Sequence, residues 1–249
     1  IISTALCVVK NNLKPVFVDC DLKTWNVTFA EIKKKITKNT SAIIVTHIYG
    51  LSVDMKKIIE IAKKKKIKII EDAAEVIGLK YKNRLCGSYG DISTFSFYAN
   101  KHITTGEGGM ILTNDKDLYN KCNSLKNLCF KKSYYERFVH EDIGWNYRMS
   151  NIQAAIGLGQ LKNIKAIVKK KIETGNYFYN KIKEIPHLIL QTNKTEYSEN
   201  IYWVFGIVLT GKYKNKKNEI MKKLLDLGVE TRPFFYPMHK QKFLNKKKI

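Results

Sequence analysis

The chain has 249 residues, a formal net charge of +23, 44% hydrophobic and 27% charged residues. That balance suits one large or two smaller soluble globular units with ample core, and no apolar run approaches the ~20 residues that span a bilayer. The basic excess lies in short lysine runs on helical patterns, such as Lys33 to Lys35 and Lys63 to Lys66, without an arginine cluster or interleaved aromatics. Nucleic acid is therefore not an expected partner, and the charge is read at most as steering of an anionic substrate.

Strand and helix signals alternate along the first half. Pro15 to Asp19 reads as a short buried strand. Phe29 to Ile36 reads as a helix with Thr28 as N-cap. Ala42 to Thr46 is a second apolar strand. Asp54 to Lys65 sets Met55, Ile58, Ile59 and Ile61 against lysines, an amphipathic helix. Strands at Ile67 to Glu71, Asp91 to Phe97 and Met110 to Thr113 follow. This order implies a mostly parallel sheet with helices on both faces, an α/β architecture. Ligands in such sheets bind at the carboxyl ends of the strands, which places His47, Asp72 and the loop after Phe97 near one rim.

Asp115 to Lys126 reads as a helix. Lys131 to Trp145 is an irregular stretch rich in aromatics, with Tyr134, Tyr135, Phe138 and Trp145. Ser150 caps one long helical pattern through about Ile182. Beyond Pro186 come strand-like Leu188 to Gln191 and Ile201 to Leu209, helix-like Asn218 to Leu227 and strand-like Val229 to Arg232, a small α/β unit. The expected division is a large domain over 1–165 and a smaller one over 166–249. Cys7, Cys20, Cys86, Cys122 and Cys129 show neither CxxC nor zinc-ligand spacing, so no metal site is expected. An odd count without a framework fits a reducing cytoplasm. The chain does not begin with Met and opens within a pattern at Ile1-Ile2-Ser3-Thr4-Ala5-Leu6, which reads as a fragment.

Two positions carry chemistry. Lys101 sits on a Gly-Glu-Gly-Gly-bearing loop between two strands, where catalytic groups concentrate; the alternative is a solvated lysine. Asp72 ends the apolar run Ile69-Ile70-Glu71 and can point a carboxylate into the site; the alternative is a helix N-cap. A lysine to form an imine, a carboxylate to hold a pyridine nitrogen protonated, and a nearby hydroxyl such as Ser96 for a phosphate are what pyridoxal 5'-phosphate requires.

These residues lie in blocks that resemble the DegT/StrS family of pyridoxal-phosphate-dependent nucleotide-sugar aminotransferases, of fold type I. The blocks are Lys14 to Asp19, Thr46-His47-Ile48-Tyr49-Gly50, Glu71-Asp72-Ala73-Ala74-Glu75, Gly87-Ser88-Tyr89-Gly90-Asp91, Phe95 to Gly109, Gly144 to Ser150 and Gly228 to His239. The resemblance covers nearly the whole chain in order. It implies that Lys101 carries the coenzyme imine and shuttles the proton. Asp72 pairs with the pyridine nitrogen, Ala74 packs on the ring, Glu75 sits at its hydroxyl edge and Ser96 binds the phosphate. Asn146 would reach the phosphate of a neighbouring subunit, making a homodimer with shared sites; its plainer reading is a turn residue before a helix. Tyr236 and His239 would approach the sugar; for His239 the plainer reading is an interior histidine.

The resemblance also implies an upstream strand with a Gly-Thr/Ser-Ala phosphate-binding turn and a further C-terminal strand and helix, which this chain lacks. The implied activity is transamination of a nucleotide-linked keto sugar with glutamate as donor, in surface polysaccharide (O-antigen) biosynthesis. The Phe95 to Gly109 and Glu230 to Pro237 runs most resemble members that convert GDP-4-keto-6-deoxymannose to GDP-perosamine. The alternatives are a UDP- or dTDP-linked keto sugar, or a sugar dehydratase of the same fold with His at the lysine position. His102 beside Lys101 makes that last alternative a question of one-residue register. A non-catalytic basic binding module is the remote alternative.

Overall fold

A computed structural model describes residues 2–131, 133–136 and 138–246, with Asn245 and Lys246 by backbone alone. Helix α1 spans Ile2–Lys10. The Pro15 to Asp19 stretch that reads as a strand joins no sheet among the described residues. Its Val18 packs against the core without joining the sheet. Helix α2, Phe29–Lys35, is capped as expected, the Thr28 hydroxyl accepting from Glu31 N. Strand β1 (Ala42–Thr46), helix α3 (Lys56–Lys65) and strand β2 (Lys68–Asp72) form a unit with parallel strands, Thr46 level with Asp72. A hairpin of β3 (Lys80–Tyr81) and β4 (Arg84–Leu85) precedes β5 (Ile92–Ser96), which pairs parallel to β2 with Asp72 level with Thr94. Strand β6 (Gly109–Thr113) returns antiparallel on β5. The sheet order is β1-β2-β5-β6.

The core lies between β1, β2 and the helices beside them. Ile43, Val45, Ile58, Ala62, Ile69, Val76 and Leu79 form one buried cluster, and Val168 and Ile172 pack on it. Alternation along β1 and β2 puts one face inward, as a period of two demands.

Helix α4, Lys116–Leu125, is N-capped by Asp115, whose carboxylate accepts from Asp117 N and Leu118 N. Among its described residues, the Lys131 to Trp145 stretch has only a single helical turn at Tyr134–Glu136 and an isolated bridge from His140 to Phe130; Lys132 and Arg137 lie outside the described residues. The helix read as continuous from Ser150 is two: α5 (Asn151–Leu161), with a capping box at Ser150 and Gln153, and α6 (Ile164–Ile182). The break falls at Lys162 and Asn163, where ψ of Asn163 is 7° and not helical. Near the end of α5, Gln160 Oε1 accepts from Thr104 N (3.0 Å) and its Nε2 donates to Thr104 O (2.6 Å), which pins α5 across the Lys101 loop. Helix α6 instead turns Ile164, Ile167, Val168 and Ile172 onto the core.

Strands β7 (Leu188–Leu190) and β8 (Ile207–Leu209) form an antiparallel pair, and α7 spans Lys217–Asp226. The strand expected from Ile201 is therefore much shorter. Tyr202 has φ 49°, which breaks an extended run. Ile201 N and Trp203 N instead donate to Gly50 O and Tyr49 O. Gly50 permits this contact: at φ 102° it leaves no room for a Cβ, which would meet Tyr202 N at 2.6 Å and Trp203 N at 2.7 Å. Val229 to Arg232 is likewise not a strand, and its neighbours Phe234 and Phe235 pack on Tyr49. A short helix α8, Lys242–Lys246, follows. No helix among the described residues is long and apolar enough to cross a membrane.

Candidate active site

The carboxyl ends of β1, β2 and β5 lie side by side, and the turns leaving them carry the polar groups. At the end of β2 the Asp72 carboxylate is held from three sides. Oδ1 accepts from Ala74 N (3.2 Å), and Oδ2 accepts from the hydroxyls of Thr4 (3.1 Å) and Thr46 (3.4 Å). The N-cap alternative has a partial counterpart in the Ala74 bond, but no helix follows.

Glu75 is 1% exposed. Its Oε2 accepts from Tyr49 N (2.8 Å), while Oε1 finds no hydrogen-bond partner among the described residues. Burial raises its pKa from 4.5 to about 7, against the pull of the Tyr49 amide and the Lys101 ammonium. Tyr49 reaches this position because it adopts φ 58° ahead of Gly50. Burial also pushes its own phenol up to about 12, so it remains neutral.

Lys101 emerges from a loop closed by Thr105 N donating to Phe97 O (2.9 Å) and Thr104 Oγ1 donating to the same carbonyl (3.0 Å). The lysine is half-buried, and burial lowers its pKa while Glu75 and Asp72 oppose the shift. Its Nζ lies 3.7 Å from the centroid of the Trp203 ring. It is thus not the solvated lysine of the alternative reading. His102 faces elsewhere. Its Nε2 donates to Ile201 O (3.2 Å), Nδ1 is buried without a hydrogen-bond partner among the described residues, and burial pushes its pKa down to about 4. The neutral ring is turned into the protein interior, and the Glu75 and Asp72 charges act on Lys101 instead.

Ser96, at the end of β5, accepts from Tyr98 N (3.3 Å) and keeps its own proton to donate. Ala74 is partly exposed two residues beyond Asp72. Asn146, Tyr236 and His239 are exposed, and no hydrogen bond joins them to Asp72, Glu75 or Lys101. The structure thus gathers Asp72, Glu75 and Lys101, sets Ser96 on the adjacent strand end, and leaves those three at the surface.

His47, read as a rim residue, is fully buried and turned inward. Its Nδ1 accepts from Val53 N (3.1 Å), so Nε2 donates to Glu71 Oε1 (2.9 Å). Glu71 also accepts from the amides of Gly87, Tyr89 and Gly90, tying the turn before β5 to β2. Cys86 lies close enough to complete a three-ligand cluster with these two. Both ring nitrogens of His47 are already engaged, however, and burial pushes the Cys86 thiol up to about 12, away from the thiolate a metal binds. These groups are a structural knot.

Four residues at the site escape a reading of the sequence: Thr4, Thr46, Tyr49 and Trp203. Thr4 and Thr46 lie far in sequence from the Asp72 carboxylate, and Trp203 from Asn100 and Lys101, so no local pattern marks them. Tyr49 and Gly50 stood in one of the resembling blocks, with nothing local to show that the Tyr49 amide reaches Glu75.

The raised pKa of Glu75 predicts a pH-dependent cost. The folded state favours the protonated form, so its stabilising contribution is full below about 4.5 and is lost as pH rises through about 7. Glu75→Gln removes that loss. In the cofactor-free protein its Tm relative to the parent should climb between pH 5 and pH 8; a difference that stays flat across this window would refute the shift.

The family model described as the DegT/DnrJ/EryC1/StrS aminotransferase family matches residues 1–248. Over 225 residues the chain is 42% identical to a GDP-perosamine synthase from Escherichia coli O157:H7, covering 90% of this chain and 60% of that relative. Among solved structures, Helicobacter pylori PseC, an aminotransferase involved in the biosynthesis of pseudoaminic acid, superposes with a TM-score of 0.91 at 26% identity, covering 98% of this chain and 66% of that one. A GDP-4-keto-6-deoxymannose-3-dehydratase, ColD, with bound GDP-perosamine superposes with a TM-score of 0.85 at 26% identity, over 93% of this chain and 63% of that one. The chain spans about three fifths of the length of the curated relative it matches. The α/β sheet and its flanking helices are those of fold type I sugar aminotransferases, and the chain belongs to the DegT/DnrJ/EryC1/StrS aminotransferase family.

Proposed function

We propose that the protein containing this chain is a pyridoxal-phosphate-dependent aminotransferase that transfers the amino group of glutamate to GDP-4-keto-6-deoxymannose, yielding GDP-perosamine for surface polysaccharide. The observation that carries this reading is the half-buried Lys101 amine interacting with the Glu75 and Asp72 carboxylates at the carboxyl ends of parallel strands. The similarity to GDP-perosamine synthases, 42% in one case, supports the choice of sugar.

The residues present fit pyridoxal phosphate. Asp72 offers a carboxylate already oriented by two hydroxyls, Glu75 offers an unpartnered buried oxygen, and Ser96 has a proton to donate. When bound, this cofactor supplies the electron sink that makes the α-proton of an amino acid acidic. Lys101 Nζ would bind the cofactor aldehyde, then take the proton from the α-carbon of glutamate and return one during the sugar half-reaction. Its lowered pKa enlarges the fraction of free amine able to do so. Asp72 would hold a proton on the ring nitrogen. Glu75 would serve the cofactor hydroxyl and Ala74 would pack on the ring face.

Glutamate gives up its nitrogen and leaves as 2-oxoglutarate; the keto carbon of the sugar receives that nitrogen. Asn146 would serve the phosphate site of a second subunit in a cytoplasmic homodimer, and Tyr236 and His239 would approach the sugar. In favour of the dimer, Tyr135, Ile143, Tyr147 and Ile152 expose 94%, 81%, 72% and 76% of their surface along the 131–161 stretch, an apolar area that suits an interface.

A substrate panel tests the reading. The complete enzyme with glutamate should aminate a GDP-linked 4-keto sugar and give a product carrying nitrogen, read by mass. Turnover confined to a UDP- or dTDP-linked sugar would overturn the nucleotide assignment. Loss of a sugar hydroxyl without gain of nitrogen would point instead to the dehydratase alternative.

A further inference from the structure

Trp203 lies between the Ile201 contact with Gly50 and strand β8. It is 7% exposed and held on three sides. Its Nε1 donates to Asn100 O (3.0 Å), the carbonyl just before Lys101. Its backbone N donates to Tyr49 O (3.2 Å), on the turn that also serves Glu75. Its ring stacks at 15° on Phe235, centroids 6.3 Å apart, and tilts at 33° against Tyr49 at 5.9 Å. The Lys101 Nζ rests on the ring, 3.7 Å from the centroid.

We propose that Trp203 is a positioning residue for Lys101: its ring face seats the Lys101 ammonium whenever that amine is free, and its indole N–H fixes the loop that carries it. The inference rests on the reading of Lys101 as the reactive lysine. The physical need is general. A lysine that alternates between a bound state and a free one must be kept near its work when free, and a four-carbon stem otherwise costs entropy to reposition. An indole face attracts an ammonium, most strongly where water is excluded. Because the ring stabilises the charged form, it raises the pKa of the amine and opposes the depression caused by burial. The charged groups facing Nζ are the Glu75 and Asp72 carboxylates; His102, from the loop itself, is neutral and turned away. Lys171, from α6, directs its Nζ to Trp203 O (3.3 Å).

The test uses the complete protein without cofactor. Lys101 is acylated with acetic anhydride across a range of pH, and its labelling is read by peptide mass. Trp203→Leu should move the midpoint of Lys101 reactivity down by about one pH unit, which makes labelling about tenfold faster on the acid side of the parent midpoint. Trp203→Phe, which keeps a ring face and loses the N–H, should shift it less. If Trp203→Leu does not fold, the same measurement is made on protein carrying ring-fluorinated tryptophan at its three tryptophan positions. Fluorination preserves shape and the N–H while emptying the ring face of negative potential, so the midpoint should again fall. A midpoint that does not move, in Trp203→Leu or in the fluorinated protein, overturns the proposal. Borohydride trapping of pyridoxal phosphate on the parent separates the two ideas. Trapping at Lys101 with an unmoved midpoint sinks only the role of Trp203, whereas trapping elsewhere sinks the reading of Lys101 as well.

Discussion

Lys101→Ala in the complete enzyme is expected to abolish transamination, with kcat falling about ten-thousand-fold or more. A positioned general base contributes up to about 10⁴-fold, and this side chain serves both as the cofactor's covalent anchor and as the proton carrier. No neighbour can replace it. His102 is adjacent in sequence, but its ring donates to Ile201 O and is held neutral in the interior. The fold should survive, because the backbone of the loop is closed by Phe97, Thr104 and Thr105 and pinned by Gln160, none of which uses the lysine side chain. Single-turnover kinetics with glutamate, together with mass analysis of the borohydride-reduced parent, give the check. Retained turnover in Lys101→Ala, or label on a different lysine, would falsify the assignment.

Asp72→Asn is the second large effect, with kcat expected to fall about 10²- to 10³-fold, the scale seen when one preorganised electrostatic group is removed. Asparagine keeps the shape and can still accept from Ala74 N, so stability should change little. It loses the negative charge that would keep a proton on the pyridine nitrogen. The two hydroxyls on Oδ2 provide an internal comparison. Thr4→Val deletes one hydrogen bond to the same carboxylate, worth up to about 3 kcal/mol for a charged acceptor and less at a partly exposed one, and leaves the charge in place. The predicted order of activity is therefore parent, Thr4→Val, Asp72→Asn. If Asp72→Asn were as active as Thr4→Val, the carboxylate would only be a scaffold for the turn.

The helices and strands around the site were legible because each carries its own periodicity and caps. The lysine-faced helix α3, the apolar strands β1, β2 and β5, and the Thr28 and Ser150 caps all appear where local pattern places them. The failures share one cause. Pro15 to Asp19 and Val229 to Arg232 have the composition of strands, but pairing is decided by what lies alongside, and nothing among the described residues does. The Ser150 helix breaks at Asn163, and α6 beyond it is placed by the core cluster it packs on rather than by its own periodicity. The inward turn of His47 follows from Glu71 and Val53, one of them twenty-four positions away in the chain.

The sequence by itself determined the α/β order of elements, the lysine loop between β5 and β6 and the carboxylate at the end of β2, because those signals are local. Tertiary structure alone decided that Lys101 rather than His102 meets the carboxylates, that Thr4 and Thr46 orient Asp72, that Glu75 is buried enough to titrate near 7, and that Trp203 lies under the amine. The reason is physical. Desolvation, charge coupling and ring contact depend on distance in space, and the residues that produce them here lie up to about a hundred positions apart in the chain.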